Sequence, residues 1–76
     1  MKIKLMCDKL MIDRLDPTIK KIIAKSGSIF EVAHNYTRPL VGVWIVYANE
    51  NYTGPIHNKK DNIIEMSSAF CEIVKE

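Results

Sequence analysis

Cys7, Cys71, His34 and His57 are all the cysteine and histidine the chain has. A structural metal takes such residues in close pairs, C-x₂-C or H-x₃-H, so that one short turn presents two ligands together. None of the four is spaced that way, and both histidines sit beside loop-forming residues, so no metal or cofactor is expected. Cys7 and Cys71 lie near opposite ends, where the first and last strands of a small barrel often run side by side. Buried thiols of a reducing compartment ordinarily serve as small hydrophobes. Nucleophilic chemistry would need a Ser or Cys held by a base and an orienting carboxylate, and no local signature offers that set. Acid–base pairs can be drawn among Asp8, Asp13, Asp16 and Glu31, as on any charged surface. A chain of 76 residues rarely encloses a deep, dry pocket. The expectation is a protein that is not an enzyme.

Binding chemistry has more to work with. Lys20, Lys21 and Lys25 cluster in sequence, and Lys59 and Lys60 form a second pair. If these segments share a side, the five make a patch that can meet phosphate. The chain as a whole carries only +2, with Asp16, Asp61 and Glu65 diluting the field, whereas dedicated duplex binders mass their positive charge on one face. Aromatic residues are the stronger hint. Trp44, Tyr47, Tyr36 and Tyr52 cannot all point inward in so small a core, and Tyr and Trp on a rigid surface anchor protein interfaces or stack on single-stranded bases.

These side chains need elements to hold them. Met1–Cys7 alternates lysine with Ile3, Leu5 and Cys7, which reads as an amphipathic strand. Leu10, Met11, Ile12 and Leu15 fit one helical turn or a continued strand. Asp16-Pro17-Thr18 resembles a helix start, Ile19, Ile22 and Ile23 follow at helical spacing, and Gly27 stands where a C-cap glycine would. The spacing predicts a short helix over 17–25. Strands are expected at 28–34, with Phe30 and Val32 on one face, at 41–48, at 62–66 and at 71–74. A single helical turn at 67–70 is predicted to precede the last. Val41–Ala48 is apolar on both faces, the pattern of a central strand. One domain over residues 1–76 is expected, mainly β (a β-rich α+β fold), as a small five-stranded antiparallel barrel with one short helix inserted after the first strand.

Three stretches carry a family likeness: Lys2-Ile-Lys-Leu-Met-Cys7, Ser26-Gly-Ser-Ile-Phe-Glu-Val32 and Ser67-Ser-Ala-Phe-Cys-Glu-Ile-Val74. In order and spacing they resemble the strands of the small SH3-like barrel proteins of bacteriophage and prophage origin, over about half the chain. The segment before Gly27 is longer than in that group, and Cys71 stands where it tends to place an aromatic. The resemblance implies a binding module with no catalytic residues. The expected function is therefore a phage-type protein-binding module that inhibits or redirects a host factor, an anti-defence or anti-CRISPR type of role, by steric occlusion through Trp44, Tyr47, Tyr36 and Tyr52. The alternative is a single-stranded nucleic-acid or RNA binder using Lys20, Lys21, Lys25, Lys59 and Lys60. Host or phage protein partners are expected, with homodimerisation through an edge strand a further option.

No apolar run approaches the roughly 20 residues that a membrane helix needs. A soluble, cytoplasmic protein is expected, so the two Asn-Tyr-Thr triplets at 35–37 and 51–53 are not glycosylation acceptors. They flank one strand and read as turn chemistry used twice, each lifting a tyrosine.

Overall fold

The computed structural model describes residues 1–34, 36, 41–56 and 58–75. Its strands, in chain order, are β1 (Lys2–Leu5), β2 (Lys9–Ile12), β3 (Lys20–Ala24), β4 (Ile29–Glu31), β5 (Val43–Tyr47), β6 (Ile63–Ser67) and β7 (Cys71–Val74). A 3-10 turn, Ser68–Phe70, separates the last two. All pairings are antiparallel: β4–β1–β7 form one sheet, β5–β6 a second and β2–β3 a third.

Period-two alternation builds the core. β1 turns Ile3 and Leu5 inward and Lys2 and Lys4 outward, while β5 buries Trp44 and Val46, and β6 buries Ile64 and Met66. Phe30 of β4 and the following Val32 complete the same cluster. Each such side chain contributes roughly 1.5–3 kcal/mol on leaving water. One bridge, Val32 with Val46, and one bond, from Ala33 N–H to the Ile45 carbonyl at 2.9 Å, join the first two sheets. The apolar run at 41–48 is thus flanked on both sides, by β6 and by the end of β4.

The described residues contain seven strands and no α-helix, and the sheets do not close. The expected five-stranded barrel with an inserted helix gives way to a mainly β globule of three small sheets. The segment read as a helix at 17–25 is instead the hairpin strand β3, paired with β2 from Leu10↔Ile22 to Ile12↔Lys20. Its supposed helix signals do other work. Pro17 follows Asp16 in a β-turn closed by Ile19 N–H on the Asp16 carbonyl at 3.0 Å, a place that suits proline's fixed φ. The Asp16 carboxylate accepts the Thr18 N–H at 3.0 Å and its hydroxyl at 2.6 Å. Gly27 adopts φ 91°, as its type allows, but in the turn from β3 to β4. There the Asp8 carboxylate accepts the Ser26 N–H at 2.8 Å. Isoleucine-rich sequence favours a strand once a partner strand is at hand, and Leu10-Met11-Ile12 supplies it.

The base of the hairpin is tied to the second Asn-Tyr-Thr triplet. Thr53 N–H donates to the Ile23 carbonyl at 2.8 Å, and Ala24 bridges Tyr52. The Tyr52 ring lies over Gly54 and its hydroxyl donates to the Pro55 carbonyl at 2.7 Å. A Cβ on Gly54 would stand 2.7 Å from the Tyr52 oxygen and 2.8 Å from the Ile23 Cδ1. The first triplet, with the turn expected at 35–39, lies outside the described residues except for Tyr36.

Gly54→Ala is accordingly expected to destabilise the protein by about 1–3 kcal/mol through overpacking, read as a lower urea midpoint at unchanged slope.

Candidate interaction surface

Beyond its base the β2–β3 hairpin stands away from the core. Ile23 and Ala24 are buried, but Leu10, Met11, Ile12, Leu15, Ile19 and Ile22 are all exposed, Leu15 at the tip to 96%. Burial alternates along β1, β5 and β6; along β2 nearly everything is in water. An isolated two-stranded hairpin is marginal in water, and this one carries apolar side chains on both faces. Leu10 and Ile12 share one face with Ile22, and Met11 shares the other with Ile23. Hydrogen bonds at the tip hold it in shape: Asp13 Oδ1 accepts the Leu15 N–H at 2.8 Å, and Asp13 N–H donates to the Ile19 carbonyl at 3.1 Å.

Between the hairpin and β6 runs a groove of about 550 Å³. Leu10, Met11 and Ile23 line it from the hairpin, Ile45 and Ile63 from β5 and β6, and Tyr52 and Pro55 from the loop between; Lys9, Asn58 and Glu65 are polar lining residues. A second hollow of about 290 Å³ lies beside Leu5, Cys7, Met66 and Phe70 and shares Lys9 and Leu10 with the first. Exposed Phe70 and the arm therefore border two neighbouring hollows. Five basic residues of the segment 9–25 (Lys9, Arg14, Lys20, Lys21, Lys25) against Asp13 and Asp16 leave the arm at +3, in a chain of +2.

Where do the residues singled out in the sequence fall? Trp44 is 5% exposed and packs in the core. The expectation that it anchors a partner is corrected: both faces of its strand are apolar, and the bridge to Val32 turns the Trp44 and Val46 face inward. Tyr47 is half-buried, and its hydroxyl accepts the His34 N–H at 3.1 Å. Tyr36 lies with it around a hollow of about 260 Å³. Tyr52 is on the large groove instead, committed through its ring and hydroxyl to Gly54 and Pro55, and burial pushes its pKa up. The structure thus unites Tyr36 with Tyr47 and separates both from Tyr52.

The lysines are divided too. Lys20 shares the Ile12 face of the arm and Lys21 the Met11 face, while Lys59 and Lys60 lie in the turn that follows Asn58. Lys25 follows the end of β3. Cys7 and Cys71 are both free thiols. Burial raises the Cys71 pKa, nearby Cys7 adds to the shift and Lys9 opposes it, the reverse of what activates a thiol. Among the described residues no group of three or more His, Cys, Asp or Glu converges, and no helix is long and apolar enough to cross a membrane. His57 lies outside them.

The exposed arm escaped sequence reading because Leu10-Met11-Ile12 fits either period. Its signal was the apolar side chains at successive positions, too many for one buried face. Comparison with known proteins finds no match: no family model, no curated protein and no solved structure is significantly similar to this chain.

The Asp16 carboxyl is held below its ordinary pKa, first by the Thr18 hydroxyl and then by the Thr18 N–H. A depressed folded-state pKa gives stabilisation that is present above the ordinary carboxylate range and is lost as pH falls through the folded value. Acidification is expected to loosen the arm tip before the core. The Thr18 amide shift and exchange rate, followed by NMR, should titrate with Asp16 in the native chain and show no such step in Asp16→Asn.

Proposed function

We propose that this protein is a small protein-binding module whose docking element is the β2–β3 arm with the groove beside it. The observation that carries this reading is the set of six exposed apolar side chains on an arm that contributes only its base to the core. Interfaces concentrate apolar and aromatic anchors within a polar rim, and the groove's lining has both kinds of residue, Lys9, Asn58 and Glu65 with Met11, Ile45 and Ile63. The arm's positive charge favours a partner surface that is acidic as well as apolar. The sequence resemblance of residues 2–7, 26–32 and 67–74 to phage barrel proteins is what suggests occlusion of a host factor as the job of such a module. In this reading the arm takes the anchoring role that the sequence had given to Trp44, and Tyr52 supports the groove.

Single-stranded nucleic acid is the second reading, favoured by the arm's excess of positive charge. It lacks a free stacking surface at Trp44, which is buried, and at Tyr52, whose ring covers Gly54.

Replacing Leu15 and Ile19 together by Ser removes exposed groups, so stability should change by no more than about 0.5 kcal/mol. Partners recovered with the native chain and identified by mass spectrometry should then be lost, with affinity in the purified pair falling only modestly as salt rises, since apolar contacts anchor it and the charged rim is screened. Retention of every partner by the double variant sinks the reading. Binding to single-stranded oligonucleotide that fades steeply with salt points instead to phosphate recognition.

A further inference from the structure

Every strand edge with unpaired N–H and C=O groups invites another strand unless a charge, a proline or a bulge guards it. The exposed edges here differ in that protection. β3 carries Lys20 and Lys21, β6 carries Glu65 in its middle and β7 carries Glu72. β2 has its one lysine, Lys9, at its first position and then three apolar residues in a row, Leu10, Met11 and Ile12; its hairpin's irregularity lies at the base, between Lys9 and Leu10.

The bonding phase of β2 is fixed by the bond from Asp13 N–H to the Ile19 carbonyl at 3.1 Å. With the register Met11↔Lys21, Asp13 and Met11 direct their backbone groups toward β3, so Leu10 and Ile12 direct theirs away from it. Two antiparallel copies of this strand can bond only through Leu10 and Ile12. The register that sets Leu10 against Ile12 does so twice by symmetry. It also places Met11 opposite Met11, and Lys9 opposite Asp13 at both ends. The sequence Lys-Leu-Met-Ile-Asp is thus complementary to itself in backbone phase, in apolar pairing and in charge.

We propose that β2 pairs edge to edge with β2 of a second copy of this chain, antiparallel and two-fold symmetric, with Leu10 of one copy opposite Ile12 of the other. The inference rests on the arm being the docking element and names the occupant of its outer edge. Pairing turns two two-stranded hairpins into one four-stranded sheet, β3–β2–β2–β3, relieving the marginality of each hairpin alone. Leu10 and Ile12 gain cross-strand neighbours, and each Lys9 meets an opposite charge. The tip residues Leu15 and Ile19 lie beyond the paired stretch and stay available to another protein.

Sedimentation equilibrium of the full chain, from micromolar to millimolar concentration, tests this directly. The native chain is expected to form a reversible dimer. Ile12→Pro removes only an outward N–H and should yield a monomer with the native far-UV spectrum. Lys9→Glu sets like charges opposite each other at both ends and should weaken the dimer without touching the hairpin ladder. In a background of Cys7→Ser and Cys71→Ala, Met11→Cys should oxidise to a cross-linked dimer. Leu10→Cys and Ile12→Cys should do so far more slowly, because only position 11 faces itself. A native chain that stays monomeric to millimolar concentration, a dimer indifferent to both Ile12→Pro and Lys9→Glu, or equal cross-linking at 10 and 11 overturns the proposal. These measurements use the purified chain alone. A monomer whose Leu15 and Ile19 variant still loses its partner defeats the dimer and leaves the docking reading standing. A dimer whose variant keeps every partner does the opposite.

Discussion

Phe30, Ile3, Met66 and Val46 are the largest side chains fully withdrawn from water, and they come from four strands of two separate sheets. Between those sheets the backbone of the described residues offers little, a bridge at Val32 and Val46 and the bond from Ala33 to Ile45. Side-chain packing therefore orients one sheet on the other, and everything else depends on that contact. β1 occupies the middle of its sheet with Ile3 and Leu5 facing the cluster, so its lysines must face outward. β5 is pinned with Trp44 and Val46 inward, and that choice gives Ile45 and Tyr47 to the outer surface. The groove wall at Ile45 is a consequence of the core.

The third sheet stands outside this arrangement. It reaches the core through Ile23 and Ala24 and is moored by Thr53 and Tyr52 from the second Asn-Tyr-Thr triplet. The repeat noted in the sequence is thus structural in its second copy: Thr53 N–H ties the loop to the Ile23 carbonyl, and Tyr52 fills the space above Gly54. The proposed docking role would account for an element so weakly joined to the core yet carrying so much apolar surface.

Sequence reading recovered what strict alternation specifies. The strand at the start, Phe30 and Val32 facing inward, the apolar strand before Ala48, the single turn ahead of Cys71 and the closing strand all appear near where they were expected. It failed where two periods compete. Ile19, Ile22 and Ile23 satisfy helical spacing, and Asp16-Pro17-Thr18 and Gly27 punctuate a helix or a hairpin equally well. What decides between them is the pairing with Leu10, Met11 and Ile12, a contact between segments that local sequence does not encode. Trp44 was misplaced for a related reason, because an apolar residue stood on each face of its strand and only the position of Val32 selects the inner one. The exposed arm follows from the same error, since a helix over 17–25 would have had one face to bury and β3 has two.

The short turn from Asp13 to Ile19 is built from its own side chains: Asp13 and Asp16 bind backbone groups two or three residues ahead, and Leu15 touches water almost everywhere. Nothing in the core depends on which side chains occupy the three or four outermost positions. This separates the rate at which recognition can change from the rate at which the fold can change. Substitutions, and even short insertions, at the tip would alter what the arm meets while Ile3, Phe30, Val46 and Met66 stay as they are. Under the proposed docking role such a tip is a natural site for diversification, and its independence of the core suits it to grafting a foreign recognition loop onto a scaffold of this size.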